Sequence, residues 1–186
     1  MTSVVVPTRE AMHDLGDRLA GVLQPGDLVV LSGGLGAGKT TLTQGIGRGL
    51  QVRGDVTSPT FVISRVHPST VAGPSLVHVD AYRLGSLAEV DDLDLEATLD
   101  SAVTVVEWGG GVVEGLSEDR LLVHIDRAPG DASDDVVGDV DEPRVVTVAA
   151  VGPRWEGVDL DPLVDESLGG VDPEQAEPDD LLDLEP

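Results

Sequence analysis

Cysteine and asparagine are absent from this chain of 186 residues, and Lys39 is its only lysine. Without cysteine there can be no disulfide framework and no thiolate metal site. The four histidines show no spacing typical of a zinc site. One phenylalanine, one tyrosine and two tryptophans are the only aromatic residues, so an extended surface for stacking nucleic-acid bases is not expected.

Long apolar runs are also absent. No stretch approaches the length of a membrane-spanning helix, and residues 1–7 lack the basic region of a signal peptide. The sequence therefore predicts a soluble, cytoplasmic protein that has no membrane partner.

Basic residues are scarce, and the formal net charge is −24. Much of the acidity lies in two segments: residues 131–142 contain six acidic residues and no basic one, and residues 153–186 contain twelve acidic residues and one arginine. This balance argues against direct binding to DNA or RNA, which requires lysine and arginine to neutralise phosphates. We predict a folded domain over residues 1–152 with a mobile loop at 128–142, followed by a disordered acidic tail over 153–186.

A glycine-rich stretch between an apolar run and a helical pattern dominates the sequence. Gly33, Gly38, Lys39 and Thr40 fit the pattern G-x-x-x-x-G-K-[ST] of a Walker A phosphate loop. In such a loop the lysine reaches the β- and γ-phosphates, and the hydroxyl binds Mg²⁺. The predicted nucleotide-binding residues of the loop are Gly33, Leu35, Gly36, Ala37, Gly38, Lys39, Thr40 and Thr41.

Two apolar runs end in an acidic residue. Residues 76–80 end at Asp80, and Glu107 follows residues 103–106. Ligands of open α/β sheets bind at the carboxyl ends of the strands, so both acids are candidates for Mg²⁺ binding and catalysis. The alternative for Asp80 is a cap of the next turn. Trp108 either packs near the nucleotide or belongs to the core or a partner contact.

A hydroxyl-rich segment follows the phosphate-loop helix. Thr57, Ser58 and Thr60 surround Pro59 and could contact Mg²⁺ or the γ-phosphate as a switch loop does. A simple turn that leads into a strand over residues 61–64 is an equally good interpretation, because such clusters are common in turns.

The order of patterns predicts one α/β domain of the P-loop NTPase type, with three layers. An edge strand at residues 4–6 and a helix capped by Thr8 come first, and the short acidic segment 86–100 is expected to be helical. The sheet is expected to be mainly parallel, with antiparallel strands near the C-terminus. The predicted strands cover residues 28–31, 61–64, 76–80, 103–108, 121–126 and 144–151.

ATP or ADP is a better candidate than GTP, because a guanine-reading Asn-Lys-x-Asp motif cannot occur in this chain. A small-molecule kinase is an alternative, but the regions that could form a lid are acidic and lack the clustered arginines that clamp phosphates. A nucleotide-gated binding module without meaningful hydrolysis is the other alternative.

Four blocks, in this order, resemble the TsaE (YjeE) family over about residues 5–127. They are residues 36–41 (GAGKTT), 58–61 (SPTF), 78–84 (HVDAYRL) and 106–108 (VEW). Gly34 stands where many members of the family have aspartate, and the acidic segments at 131–142 and 153–186 are not part of the common pattern.

The resemblance implies a weak P-loop ATPase that binds ATP or ADP with Mg²⁺ and is stimulated by partner proteins. It implies a role with TsaB and TsaD in the modification of tRNA to N6-threonylcarbamoyladenosine, with tRNA held by those partners. By position, Lys39 and Thr40 would hold phosphate and Mg²⁺, Asp80 and Glu107 would be acids of the metal site, and Thr8 would approach the nucleotide.

Overall fold

The computed structural model describes residues 1–59, 63–82, 99–110, 116–127 and 142–164. Seven strands form one sheet in the order β1-β7-β6-β2-β5-β4-β3. The strands are β1 Thr2–Val6, β2 Leu28–Gly33, β3 Ser64–His67, β4 Ser75–Asp80, β5 Ala102–Glu107, β6 Arg120–Arg127 and β7 Arg144–Val151.

The centre of the sheet is parallel. Strand β2 pairs in parallel with both β5 and β6, and β4 pairs in parallel with β5. Antiparallel pairs lie toward the edges, where β7 joins β6 to β1 and β3 joins β4. The predicted α/β fold with a mainly parallel sheet is confirmed, and the antiparallel pair β6–β7 lies near the C-terminus as predicted.

Two helices cover one face of the sheet: α1 Arg9–Ala20 and α2 Lys39–Gly49. Helix α1 begins where expected, because the Thr8 side chain accepts a hydrogen bond from the Ala11 N–H at 3.1 Å. Buried side chains of α1, α2 and alternate strand residues form the main core. No helix in the described ranges is both long enough and apolar enough to cross a membrane.

The glycines of α2, which weaken an isolated helix, allow the two helices to touch. A Cβ on Gly45 would be 2.9 Å from the Cα of Gly16 in α1, and one on Gly16 would be 2.7 Å from the Ile46 nitrogen. These separations are too short for real side chains, so both positions need glycine. The lower helix propensity of glycine is thus offset by close backbone packing.

The boundary predicted at residue 152 is wrong for the segment that follows it. Two short 3₁₀ helices, Pro153–Trp155 and Asp161–Val164, continue the fold. Trp155 and Leu163 are buried in the main core. The Arg154 guanidinium donates to both carboxylate oxygens of Asp27, at 3.0 and 2.9 Å. An arginine and two apolar residues therefore anchor a segment whose acidic composition predicted disorder.

Several predictions concern residues outside the described ranges. These are the start of the strand expected at 61–64, most of the helical segment 86–100, most of the loop 128–142 and the tail beyond residue 164. Strand β3 begins only at Ser64, the last residue of that predicted strand.

Candidate functional site

The phosphate loop connects β2 directly to α2. Gly33, Gly36 and Gly38 have φ values of 131°, 75° and 114°, which are rarely accessible to residues with a Cβ. A Cβ on Gly33 would also collide with the carbonyl oxygen of Ile125 on the neighbouring strand. Helix α2 begins at Lys39, so its first N–H groups, which have no partner within the helix, are directed to the loop. The geometry is that of an anion-binding cradle.

Lys39 is buried inside this loop. Its ammonium group donates to the carbonyl oxygens of Gly33 at 2.7 Å and Gly34 at 2.8 Å, and lies over the Trp108 ring. Burial lowers the pKa of Lys39, and the negative charges of Glu107 and Asp80 oppose that shift. The two carbonyl oxygens hold the ammonium group inside the loop, where the pattern predicts phosphate.

The two predicted acids lie side by side. Asp80 and Glu107 are paired positions at the carboxyl ends of β4 and β5. The Thr40 hydroxyl donates to Glu107 Oε1 at 2.8 Å, which links Glu107 to the start of α2. Asp80 Oδ1 accepts from the Tyr82 N–H at 3.1 Å, so this carboxylate also caps the next turn. The structure thus shows the capping contact of Asp80, and its role in Mg²⁺ binding and catalysis stays a prediction.

The donor set can be compared with what a metal ion requires. Among the described residues, no three His, Asp or Glu side chains form a group able to hold a metal ion by themselves. Thr40, Asp80 and Glu107 nevertheless offer oxygen ligands, which Mg²⁺ prefers, and Mg²⁺ commonly takes only one or two carboxylates together with phosphate and water. These residues fit Mg²⁺ that arrives with a nucleotide, and they do not fit a metal site independent of one.

The switch-loop candidates differ in their surroundings. The Ser58 hydroxyl donates to Asp80 Oδ2 at 3.4 Å, which brings this segment to the acids. Thr57 instead accepts a hydrogen bond from the exposed Arg65 at 2.9 Å. Thr60 lies outside the described residues. Only Ser58 is thus seen in contact with the site.

The other predicted nucleotide-binding residues lie around the loop. Leu35 is 89% exposed at the loop tip, and Ala37 is buried. Thr8 caps α1, and a Cβ on Gly38 would lie 3.3 Å from Met12 Cε of the same helix, so α1 borders the loop. Thr41 follows Thr40 in the first turn of α2.

The sequence predicted a surface or packing residue at His78, with no catalytic or binding role. This histidine is fully buried, and its Nε2 lies 2.8 Å from Glu107 Oε1. Its signal in the sequence is the two-residue spacing to Asp80, because alternate residues of a strand share one face.

A second polar group on the opposite side of β2 was also not expected. Ser32 Oγ lies 2.8 Å from His124 Nδ1, and His124 Nε2 lies 2.8 Å from Asp126 Oδ2. With Trp108 and Gly34, these residues line an open cavity of about 380 Å³ beside the loop.

Residues 6–134 match the family model described as "Threonylcarbamoyl adenosine biosynthesis protein TsaE". The chain belongs to the TsaE family. A TsaE protein of Streptomyces coelicolor is 61% identical over 82% of this chain and 99% of that protein. The Bacillus subtilis TsaE protein is 38% identical over 74% of this chain and 78% of its own length. Both carry the name "tRNA threonylcarbamoyladenosine biosynthesis protein TsaE".

A solved structure gives the same result for the fold. The crystal structure of Bacillus subtilis YdiB matches with a TM-score of 0.62 and 31% sequence identity, over 83% of this chain and 88% of that one. The recognition of the TsaE family from its four sequence blocks is confirmed.

Proposed function

We propose that this TsaE-family chain binds and hydrolyses ATP with Mg²⁺ in the formation of N6-threonylcarbamoyladenosine in tRNA. In this proposal it acts with TsaB- and TsaD-type partners and supports their turnover. Hydrolysis by the chain alone is weak and is stimulated by the partners. The tRNA contacts the partners, in keeping with the net charge of −24.

The observation that carries the proposal is the meeting of the phosphate loop with the acids of the neighbouring strands. Lys39 and Thr40 are consecutive residues at the start of α2, and Thr40 already contacts Glu107. In this proposal the Lys39 ammonium binds phosphate oxygens, and the loop N–H groups surround them. Mg²⁺, when bound with the nucleotide, supplies the positive charge that neutralises charge developing on the phosphates.

Each carboxylate has a separate part in this proposal. Glu107 orients the Thr40 hydroxyl through the observed hydrogen bond. Thr40 and Glu107 together would hold the metal. Asp80, beside Glu107 on the next strand, either completes the metal site or orients the attacking water through its carboxylate. ADP occupies the same loop after hydrolysis.

Binding of Mg·ATP to Lys39→Ala, measured by calorimetry, tests the proposal. Because the lysine supplies the charged donors of the loop, binding should fall below detection while the circular dichroism spectrum is retained. Arg53→Ala, which removes a positive charge from an exposed position, should bind like the wild type. Unchanged affinity in Lys39→Ala would contradict the proposal, and phosphorylation of a small metabolite would favour a kinase instead.

A further inference from the structure

A fully buried histidine side chain contacts one of the two acids of the candidate metal site. His78 lies on β4, two residues before Asp80, and its Nε2 is 2.8 Å from Glu107 Oε1. The same oxygen accepts the Thr40 hydroxyl at 2.8 Å. Side chains from β4, β5 and α2 therefore meet at a single carboxylate oxygen.

The hydrogen-bond pattern assigns the tautomer of His78. A carboxylate oxygen can only accept, so the hydrogen of this contact is on Nε2 of the imidazole. The other nitrogen, Nδ1, is buried and has no hydrogen-bond partner within the described part of the chain. An imidazole with hydrogen on Nε2 alone leaves Nδ1 as an unpaired acceptor.

A buried polar atom without a partner reduces the stability of the fold. An apolar side chain of similar size would fill the same space without this cost. Stability therefore does not explain why position 78 carries a histidine, whereas its single hydrogen bond to Glu107 does.

We propose that His78 is a positioning residue for Glu107. It holds the carboxylate by Oε1 and keeps it directed toward the Thr40 hydroxyl at the start of the phosphate-loop helix. This inference rests on the proposed function, because the orientation matters for the Mg·ATP that Thr40 and Glu107 would hold.

Three substitutions of His78 distinguish a role in positioning Glu107 from a role in filling space. His78→Gln places an amide N–H near the position of Nε2, His78→Asn places one near Nδ1, and His78→Leu places none. We expect His78→Leu to fold with a melting temperature close to that of the wild type, because the unpaired Nδ1 is removed while Glu107 Oε1 keeps the Thr40 hydroxyl as a donor. Its kcat for partner-stimulated ATP hydrolysis should fall about 10²-fold, the scale of a displaced positioning group, with KM changed less than about threefold.

The pattern of rescue decides the outcome. His78→Gln should recover most of the lost kcat, whereas His78→Asn should resemble His78→Leu. A purely structural role would lower the melting temperature of all three variants, and kcat would follow the folded fraction. That result, or an unchanged kcat in His78→Leu, would overturn the inference.

A spectroscopic test does not depend on hydrolysis. In the ¹⁵N-histidine NMR spectrum of the full chain, His78 should carry its hydrogen on Nε2, and that resonance should shift in Glu107→Gln while His124 remains unchanged. A hydrogen on Nδ1 with none on Nε2 would overturn the inference. A wild type that hydrolyses no ATP with its partners, yet shows this spectrum, would contradict the proposed function and leave the contact established.

Discussion

The Lys39 ammonium nitrogen lies 3.7 Å from the centre of the Trp108 indole ring. Trp108 has a φ of 62°, a conformation that is uncommon for a residue with a side chain of this size. The backbone N–H of Trp108 donates to the Leu31 carbonyl oxygen at 2.9 Å, and this hydrogen bond holds the strained backbone in place. A cation over an indole ring is stabilised by about 0.5–2 kcal/mol, so the lysine has a defined position beside the Trp108 ring.

Trp108 should therefore report nucleotide binding by fluorescence. In a Trp155→Phe background it is the only tryptophan. Addition of Mg·ATP should change its emission, because Lys39 leaves the ring to bind phosphate. The same background with Lys39→Ala should show no change. A full emission change in the Lys39→Ala protein would contradict this account of the loop.

Substitution of Glu107 should affect catalysis more than stability when the new side chain still offers a hydrogen-bond acceptor to His78. Glu107→Gln and Glu107→Ala should both lower Mg²⁺-dependent hydrolysis by about 10²-fold or more. Glu107→Ala should also cost about 1–3 kcal/mol of stability, because it leaves the buried His78 N–H without an acceptor. Glu107→Gln should cost less, since the amide oxygen still accepts.

Steady-state hydrolysis and urea unfolding separate these two effects. Glu118→Gln, an exposed substitution of the same kind, is the matched control. Hydrolysis at the wild-type rate in Glu107→Gln would assign Glu107 to structure alone.

The sequence predicted the features that follow from a local pattern or from the general rule for parallel strands. The phosphate loop is a local pattern, and Asp80 and Glu107 meet because parallel strands bring their carboxyl ends to one edge of the sheet. The contact of His78 with Glu107 joins residues 29 positions apart, and that of Arg154 with Asp27 joins residues 127 positions apart. Such contacts depend on the three-dimensional arrangement of the strands, which no local pattern encodes.

Residues 153–164 should contribute to stability, contrary to what their composition indicates. Asp27 is 3% exposed, and Arg154 neutralises it. A chain that ends at residue 152 should lose about 3 kcal/mol or more, since it lacks the buried Trp155 and leaves the Asp27 charge without its partner.

A chain that ends at residue 164 is the matched control for this truncation. It should unfold at the same urea concentration as the full chain, because the acidic, Pro-rich remainder is predicted from its sequence to bury little. Equal stability of the chains ending at residues 152 and 164 would contradict the anchoring role of Arg154 and Trp155.

His67 should make stability depend on pH. It is 4% exposed, and burial lowers its pKa from the ordinary value of 6.5, with a hydrogen bond from the imidazole to the backbone of Arg53 opposing the shift. The unfolded chain then binds a proton more readily than the folded chain. The stability that depends on a neutral His67 is fully present above about pH 7. It is lost as the pH falls below about 6.5 toward the folded-state pKa.

Urea unfolding between pH 7.5 and 5.5 checks this dependence, since carboxylates titrate mostly below about pH 5. The free energy of unfolding should fall across this range in the wild type and fall less in His67→Gln. Part of the slope should remain, because burial also lowers the pKa of His13. The same slope in both proteins would show that His67 is not responsible.

Reconstituted tRNA modification is the measurement that tests the central claim most directly. TsaB- and TsaD-type partners would be supplied with tRNA, ATP, threonine and bicarbonate, together with the enzyme that forms the activated threonylcarbamoyl group. Modified adenosine would be counted over many turnovers, with the wild-type chain, with Lys39→Ala and without either. The account predicts sustained turnover only with the wild-type chain, and equal turnover in all three reactions would contradict it.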